Sequence, residues 1–175
     1  MSDATSKMPA QALLTSRDIA ELPEAHVRHP WNANSEVYLK RLSHITGLGR
    51  VALSIARVPP GRESFVYHCH ERDEEFVFIL SGRGKAEIGE HAFDVGPGDF
   101  MGFPAPGGPA HHLLNPFDED LVYLMGGESS GFDIGHFPKL GRHIIFTTTG
   151  IQGVDDQALA QMTFADWLAD DDGGG

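Results

Sequence analysis

Short runs of alternating apolar and polar residues, each ended by glycine or proline, fill the middle of the chain. The first three runs are Glu36–Leu42, Arg50–Val58 and Ser64–His70. Six more follow at Glu75–Leu80, Gly84–Ile88, His91–Val95, Asp99–Phe103, Ala110–Leu114 and Asp120–Met125. A period of two over a few residues is typical of β-strands. The sequence therefore predicts a nine-stranded region between residues 36 and 125.

The segments between these runs are short and rich in turn-forming residues. Pro59-Pro60-Gly61, Gly89-Glu90 and Gly96-Pro97-Gly98-Asp99 supply the fixed or positive φ angles that hairpins need. No stretch of this region keeps a helical period of 3.6 long enough for a helical crossover between parallel strands. The sequence therefore predicts an all-β, antiparallel sandwich or barrel.

The two ends of the chain differ from this middle region. Residues 1–35 are interrupted by prolines, which predicts an extended, irregular arm with a short helix near Ser16–Leu22. Residues 128–175 predict a looser extension, with one edge strand at Ile144–Thr149, an amphipathic helix at Asp155–Leu168 and a disordered acidic tail. Residues 36–127 are left as the β-barrel domain.

Composition narrows the classes of partner. The length of 175 residues suits one domain. The formal net charge is −12, and no cluster of Lys or Arg offsets it, so nucleic acid and membrane surfaces are poor partners. Cys69 is the only cysteine, so there is no internal disulfide framework, and the N-terminal sequence predicts no signal peptide. We expect a cytoplasmic protein whose partner is a small molecule.

A group of metal-ligand residues lies on these predicted strands. His68 and His70 are two apart on one strand, so both imidazoles face the same side. A turn follows, and Glu75 opens the next strand, where a hairpin would bring its carboxylate beside the two histidines. His111, on a later strand, could complete the site if that strand crosses the same interior. Such a site of nitrogen and oxygen ligands suits a divalent transition metal such as zinc, iron, manganese or nickel.

Two motifs around these residues resemble those of the cupin superfamily. The first is Pro60-Gly61 followed by His68-x-His70-xxxx-Glu75-xxxxxx-Gly82. The second is Gly98-Asp99-xxxx-Pro104 followed by His111-xxx-Asn115. They occur in the family's order, over roughly residues 36 to 127. The stretch from Pro59 to Glu128 is most similar to small single-domain, conserved-barrel cupins that have no assigned activity.

This resemblance implies a jelly roll of the double-stranded β-helix type. It also implies that His68, His70, Glu75 and His111 bind the metal inside the barrel. Two departures from the family pattern occur, namely one extra residue between Gly61 and His68 and a loop about two residues longer before His111. The longer loop leaves open whether His111 or His112 faces inward, although the three-residue gap to Asn115 favours His111.

The remaining histidines form no comparable group. They are predicted to be structural or solvent-facing, because no common spacing relates them: His26, His29, His44, His91, His136 and His143.

One strand predicts an interface. Phe76, Phe78 and Leu80 alternate with Glu75 along Glu75–Leu80, so an inward Glu75 leaves an outward apolar face. Either the N-terminal arm or a second copy of the chain could cover this face. We expect a homodimer, which the resemblance to single-domain cupins also implies.

Three functions remain open at this point. The chain could be a metal-dependent dioxygenase, decarboxylase, isomerase or lyase, for which the sequence identifies no catalytic residue beyond the metal ligands. It could instead bind a small molecule without turnover. The third possibility is a structural jelly-roll subunit whose histidines only pack, which is disfavoured because burying four unpaired ligand-type residues is costly.

Overall fold

The computed structural model describes residues 12–159. Within this range the helices are α1 (Ser16–Glu21) and α2 (Leu42–Thr46), and a 3₁₀ helix spans Asp156–Ala158. The strands are β1 (Ala25–His29), β2 (Asn32–Arg41), β3 (Val51–Val58), β4 (Cys69–His70), β5 (Glu75–Ser81), β6 (Gly84–Ile88), β7 (His91–Val95), β8 (Phe100–Phe103), β9 (His111–Leu114), β10 (Leu121–Glu128), β11 (Asp133–Phe137), β12 (Arg142–Thr147) and β13 (Gly150–Asp155).

The strands form three antiparallel sheets. The largest has the order β1-β2-β3-β10-β5-β8, the second β13-β12-β11-β4 and the third β7-β6-β9. Sequence neighbours such as β3 and β4 lie in different sheets, whereas β3 pairs with the distant β10. This exchange of strands between sheets defines a jelly roll, and the predicted all-β, antiparallel class is confirmed.

The core lies between the six-stranded and three-stranded sheets. From the larger sheet, Val58, Ile79 and Leu121 are each fully buried. Ala86 and Leu113 meet them from β6 and β9 as members of the same apolar cluster. These residues come from the alternating positions of the predicted strands, because a period of two directs every second side chain to the interior.

The predicted strand Ser64–His70 is ordered as a strand only at Cys69–His70. The preceding residues still follow β9, since the Ser64 N–H donates to the Leu113 carbonyl and His68 forms a bridge with His111. The alternating pattern therefore did not predict the irregular backbone of residues 64–68, which follow β9 before β4 pairs with β11.

The described segments on either side of residues 36–127 are more regular than the sequence predicts. Thr15 caps α1, and β1 forms a hairpin with β2 where an irregular arm is expected. The predicted edge strand Ile144–Thr149 corresponds to β12, which pairs with β11 and β13. β11 and β13 have no alternating apolar pattern long enough to predict them from the sequence. Pairing on both sides of β12 stabilises them instead.

The predicted helix Asp155–Leu168 is not helical at its start. Asp155 ends β13, and only the 3₁₀ helix at Asp156–Ala158 follows. The rest of this helix and the acidic tail lie outside the described residues. Between residues 12 and 159, no helix is long and apolar enough to cross a membrane.

Candidate metal centre

Three separate parts of the fold bring the candidate ligands together. His70 belongs to β4, which pairs with β11 through Gly135. His68 precedes β4 and forms an antiparallel bridge with His111, the first residue of β9. Glu75 is the first residue of β5 in the six-stranded sheet. The jelly roll therefore brings residues from all three sheets to one end of the barrel.

The three imidazoles converge on one carboxylate oxygen. Oε2 of Glu75 lies 3.7 Å from Nε2 of His68, 3.3 Å from Nε2 of His70 and 3.4 Å from Nε2 of His111. The ligand atoms of His68, His70 and Glu75 all lie within 4.8 Å of one another. His111 contacts the same oxygen from the side but falls outside this compact triplet. The four side chains expose between 9% and 26% of their surface.

Each histidine is held through its other ring nitrogen. Nδ1 of His68 donates to the Val66 carbonyl at 2.7 Å, and Nδ1 of His111 donates to the Pro109 carbonyl at 3.3 Å. Nδ1 of His70 is bonded to the carboxylate of Asp133. Because a carbonyl oxygen only accepts hydrogen bonds, the neutral forms of His68 and His111 carry their proton on Nδ1. Their Nε2 lone pairs are therefore free to face Glu75.

Asp133 is a buried residue that fixes the position of His70. Only 4% of it is exposed. Besides His70, its carboxylate accepts the backbone N–H groups of Arg72 at 3.0 Å and Asp73 at 3.3 Å. The sequence analysis did not identify Asp133, because it lies 63 positions from His70 and no short motif contains it. The one sequence signal was an acidic residue at the start of the short segment Asp133–Phe137.

The side chains of the cluster shift one another's pKa values. Burial opposes the positive charge of His70, but the carboxylates of Glu75 and Asp133 outweigh burial and raise the pKa of His70 to about 9. Burial also opposes the negative charge of Glu75, but the three histidines hold the pKa of Glu75 well below its usual range. Burial lowers the pKa of His111. The site therefore combines an anionic carboxylate with His70, which the two carboxylates hold protonated near pH 7, and with His111, whose charged form is disfavoured by burial.

The structure distinguishes His111 from His112. Whereas His111 faces Glu75, the ring of His112 points to the other side of β9, where its Nε2 lies 2.9 Å from Glu87. Burial lowers the pKa of His112, and its ring packs edge-on against Tyr67. Successive residues of a strand face opposite sides, so only one of the two can join the cluster.

A cavity of about 470 Å³ opens beside His68, His70 and Glu75. The rest of its lining is mostly apolar and comes from strands on either side of residues 36–127 in the sequence. Its members include Val27 of β1, Ile144 and Phe146 of β12, Ile151 of β13, and Phe137 of β11, whose ring stacks on that of His68 with 5.6 Å between the centroids. This volume is in the range of small-molecule sites.

His29, which the sequence predicts to be structural or solvent-facing, also lines this cavity. It is the last residue of β1, and the turn after it brings the Trp31 N–H to within 3.3 Å of its Nδ1. Burial, and the nearby charge of His68, lower the pKa of His29. Its position depends on the β1–β2 hairpin, which the sequence did not predict.

A second histidine–carboxylate group lies in the four-stranded sheet, at His136, His143 and Asp156. The two rings stack 4.4 Å apart with only 15° between their planes, and Nδ1 of His143 lies 2.7 Å from Asp156. An imidazole lone pair lies in the plane of its ring, so two nearly parallel rings cannot both direct one to the same ion. We interpret this group as an ion-paired surface cluster.

The fold and the convergent histidines define a class, namely a jelly-roll protein with a histidine–carboxylate cluster inside its barrel. Residues 54–127 match the family model of the cupin domain. This segment is therefore similar to cupin domains, and the resemblance seen in its motifs is confirmed.

Three solved structures are similar to this chain. A provisionally assigned sugar phosphate isomerase from Acidithiobacillus ferrooxidans is 29% identical, with a TM-score of 0.82 over 87% of this chain and 97% of that one. A sugar phosphate isomerase from Silicibacter pomeroyi is 19% identical, with a TM-score of 0.72 over 82% of this chain and 92% of that one. A polyketide cyclase from Streptomyces resistomycificus is 19% identical, with a TM-score of 0.57 over 67% of this chain and 81% of that one.

These names differ in chemistry while the fold is shared, so the fold does not choose the reaction. No curated protein matches the sequence significantly.

Proposed function

We propose that the chain is a metal-dependent enzyme. His68, His70, Glu75 and His111 would hold a divalent transition metal, and the substrate would be a small molecule in the adjacent cavity. The observation that carries this proposal is the approach of three Nε2 atoms to one carboxylate oxygen, at 3.3 to 3.7 Å, beside that cavity.

The donor set fits such an ion. Atoms bound about 2.1 Å from one metal lie about 3.0 Å apart in an octahedral shell and about 3.4 Å apart in a tetrahedral one. The distances around Glu75 Oε2 are close to these values. Nε2 of His70 is also buried without a hydrogen bond of good geometry, and a bound ion would take the place of the proton that the nearby carboxylates hold on this ring. Zinc, iron, manganese and nickel all accept this combination of ligands.

The residues around the ligands would hold the ligand side chains in position for the ion. Val66, Pro109 and Asp133 orient the three imidazoles, and a carboxylate behind a ligating histidine increases its basicity. The apolar walls of the cavity would keep bulk water away from the bound substrate. A bound divalent ion supplies Lewis acidity toward a substrate oxygen, and iron would add redox chemistry.

A non-catalytic role is the alternative. The same ligands and cavity could retain a small molecule without turnover, since the described lining contains no second acid–base pair. His29 is a cavity-lining imidazole outside the ligand group, and burial lowers its pKa, so it provides one group that could exchange a proton with a substrate, which favours the enzyme.

Similarity to a solved structure suggests a type of reaction for this enzyme. The Acidithiobacillus ferrooxidans structure is 29% identical over nearly its whole length, and its provisional assignment is to a sugar phosphate isomerase. This similarity supports isomerisation as the type of reaction. It does not by itself specify the substrate of this chain.

The ligand assignment is tested with two adjacent glutamates. Glu75→Gln removes the charged oxygen at the centre of the cluster, whereas Glu74→Gln changes an exposed neighbour outside it. We expect Glu75→Gln to lose bound metal and Glu74→Gln to keep it, as measured by elemental analysis after loading each protein with zinc or nickel. Equal metal content in the two variants would contradict the proposal.

We also propose that the chain forms a homodimer through the outer face of β5. Phe78 and Leu80 are 37% and 41% exposed, and Phe100 of the neighbouring β8 is 66% exposed. An apolar face of this kind favours association, and the N-terminal arm is the alternative cover. Light scattering of the full chain and of Phe100→Ser tests this, with a dimer expected only for the former.

The cytoplasmic location remains a prediction.

A further inference from the structure

The cavity beside the cluster is built mainly by segments outside the cupin match. Its ligand wall comes from residues inside 54–127, but β1, β11, β12 and β13 provide most of the apolar wall. These strands therefore determine what can approach the cluster. Their contribution is Val27, Phe137, Ile144, Phe146 and Ile151, together with His29.

The polar groups of this wall are few, and most of them already form an ion pair or a hydrogen bond within the protein. Arg28 is the one arginine or lysine among the lining residues that the structure describes, and it ion-pairs with Glu36 at 3.5 Å while its side chain is 64% exposed. Strand alternation places Arg28 on the face of β1 opposite Val27 and His29. His29 is neutral near pH 7, and because its Nδ1 accepts the Trp31 N–H, its proton lies on Nε2.

A phosphorylated sugar does not suit this lining. A bound phosphate needs several N–H donors or a positive charge, such as an arginine fork or a lysine. Each buried sugar hydroxyl needs a hydrogen-bond partner, and burial without one is unfavourable. Between residues 12 and 159, this wall offers one neutral imidazole N–H and an arginine engaged with Glu36.

We propose that the substrate is a compact apolar molecule, with an aromatic ring or a branched hydrocarbon body and one oxygen-based chelating group. This inference rests on the proposed metal function. The chelating group would face His68, His70 and Glu75, and the apolar body would pack between Phe137 and Phe146. Four protein ligands leave up to two positions of an octahedral shell for such a group.

The test compares two ligands that share a chelating head. Benzohydroxamate and acetohydroxamate both chelate through two oxygens, and they differ in a phenyl ring against a methyl group. We expect calorimetric titration of the nickel-loaded chain to give benzohydroxamate an affinity at least about tenfold higher, because the ring buries more apolar surface. Fructose 6-phosphate, titrated in the same way, is expected to bind more weakly than benzohydroxamate.

A matched pair of variants locates the apolar body. Phe146→Ala removes a ring from the cavity wall, whereas Phe132→Ala removes a 48% exposed ring that does not line it. We expect Phe146→Ala to reduce benzohydroxamate affinity severalfold and to leave acetohydroxamate affinity unchanged, with no effect of Phe132→Ala. If Phe146→Ala does not fold, Ile151→Ser tests the same wall at a 70% exposed position.

The outcomes separate this inference from the metal function. Equal affinities for the two hydroxamates, or tighter binding of fructose 6-phosphate, in a chain that retains its nickel would overturn the apolar substrate alone. A chain that holds no nickel at all would overturn the proposed function and this inference together.

Discussion

Each histidine of the cluster is fixed by a bond on the side away from Glu75. His68 and His111 use backbone carbonyls as partners, and His70 uses the side chain of Asp133. The cluster is therefore preorganised, since the rings do not need to reorient before Nε2 can act as a ligand. At the residue scale, two substitutions test this arrangement.

The first substitution distinguishes neighbouring histidines. His111→Gln removes an imidazole that faces Glu75, whereas His112→Gln alters one that contacts Glu87 instead. We expect elemental analysis to find reduced bound metal in His111→Gln and an unchanged amount in His112→Gln. Loss of metal from His112→Gln alone would reverse the assignment of the inward histidine.

The second substitution tests the support behind His70. Asp133→Asn keeps the shape of the side chain but removes the negative charge that orients the imidazole and increases its basicity. We expect zinc affinity to fall by roughly ten- to a hundredfold in a competition titration with a chromophoric chelator. Asp94→Asn, at an exposed position paired with Lys85, is the control and should leave the affinity unchanged. An unaltered affinity in Asp133→Asn would mean that Asp133 has no positioning role.

Among the elements, the pairing of β5 with β10 controls the position of Glu75. Gly127 lies opposite Glu75 in the register of these strands. A Cβ atom added at Gly127 would lie 2.3 Å from the Glu74 carbonyl oxygen and 3.1 Å from Cγ of Glu75. The first distance is with backbone, so β5 itself would have to move away from β10.

Gly127→Ala is therefore expected to disturb both stability and the site. Overpacking of this kind typically costs about 1 to 3 kcal/mol, so thermal melting should shift several degrees lower and metal content should fall. Gly150→Ala is the matched control in a strand, because nothing lies within 4 Å of its added Cβ atom. Wild-type melting and metal content in Gly127→Ala would show that β5 tolerates the displacement.

The same elements explain what the sequence could predict. His68, His70 and Glu75 lie within eight residues on one predicted hairpin, so their proximity followed from strand period and a short turn. His111 required the family motif, because spacing alone cannot define which distant strands face each other. Asp133 and His29 belong to β11 and β1, whose order depends on pairing with β12 and β2 and not on their own pattern.

At the scale of the whole molecule, the site divides into two parts of different origin. The cupin match provides the ligand cluster, whereas the hairpins before and after it enclose the cavity. The nine-strand pattern was sufficient to predict an antiparallel sandwich or barrel, and the resemblance to cupins implied the jelly roll. The cavity was not predictable, because its apolar wall brings together residues such as Val27 and Ile151, which lie on opposite sides of the barrel domain in the sequence. We therefore assign the chemistry to the barrel and the choice of substrate to the extensions.

The central claim is that the barrel binds a transition metal through this cluster. Elemental analysis of the purified chain, beside the His68→Ala/His70→Ala double variant, tests it most directly. We expect about one transition metal per chain in the parent protein and its loss in the variant, with cooperative melting in both proteins as the check on folding. No bound metal in the parent after reloading, or the same metal content in the variant, would contradict the account.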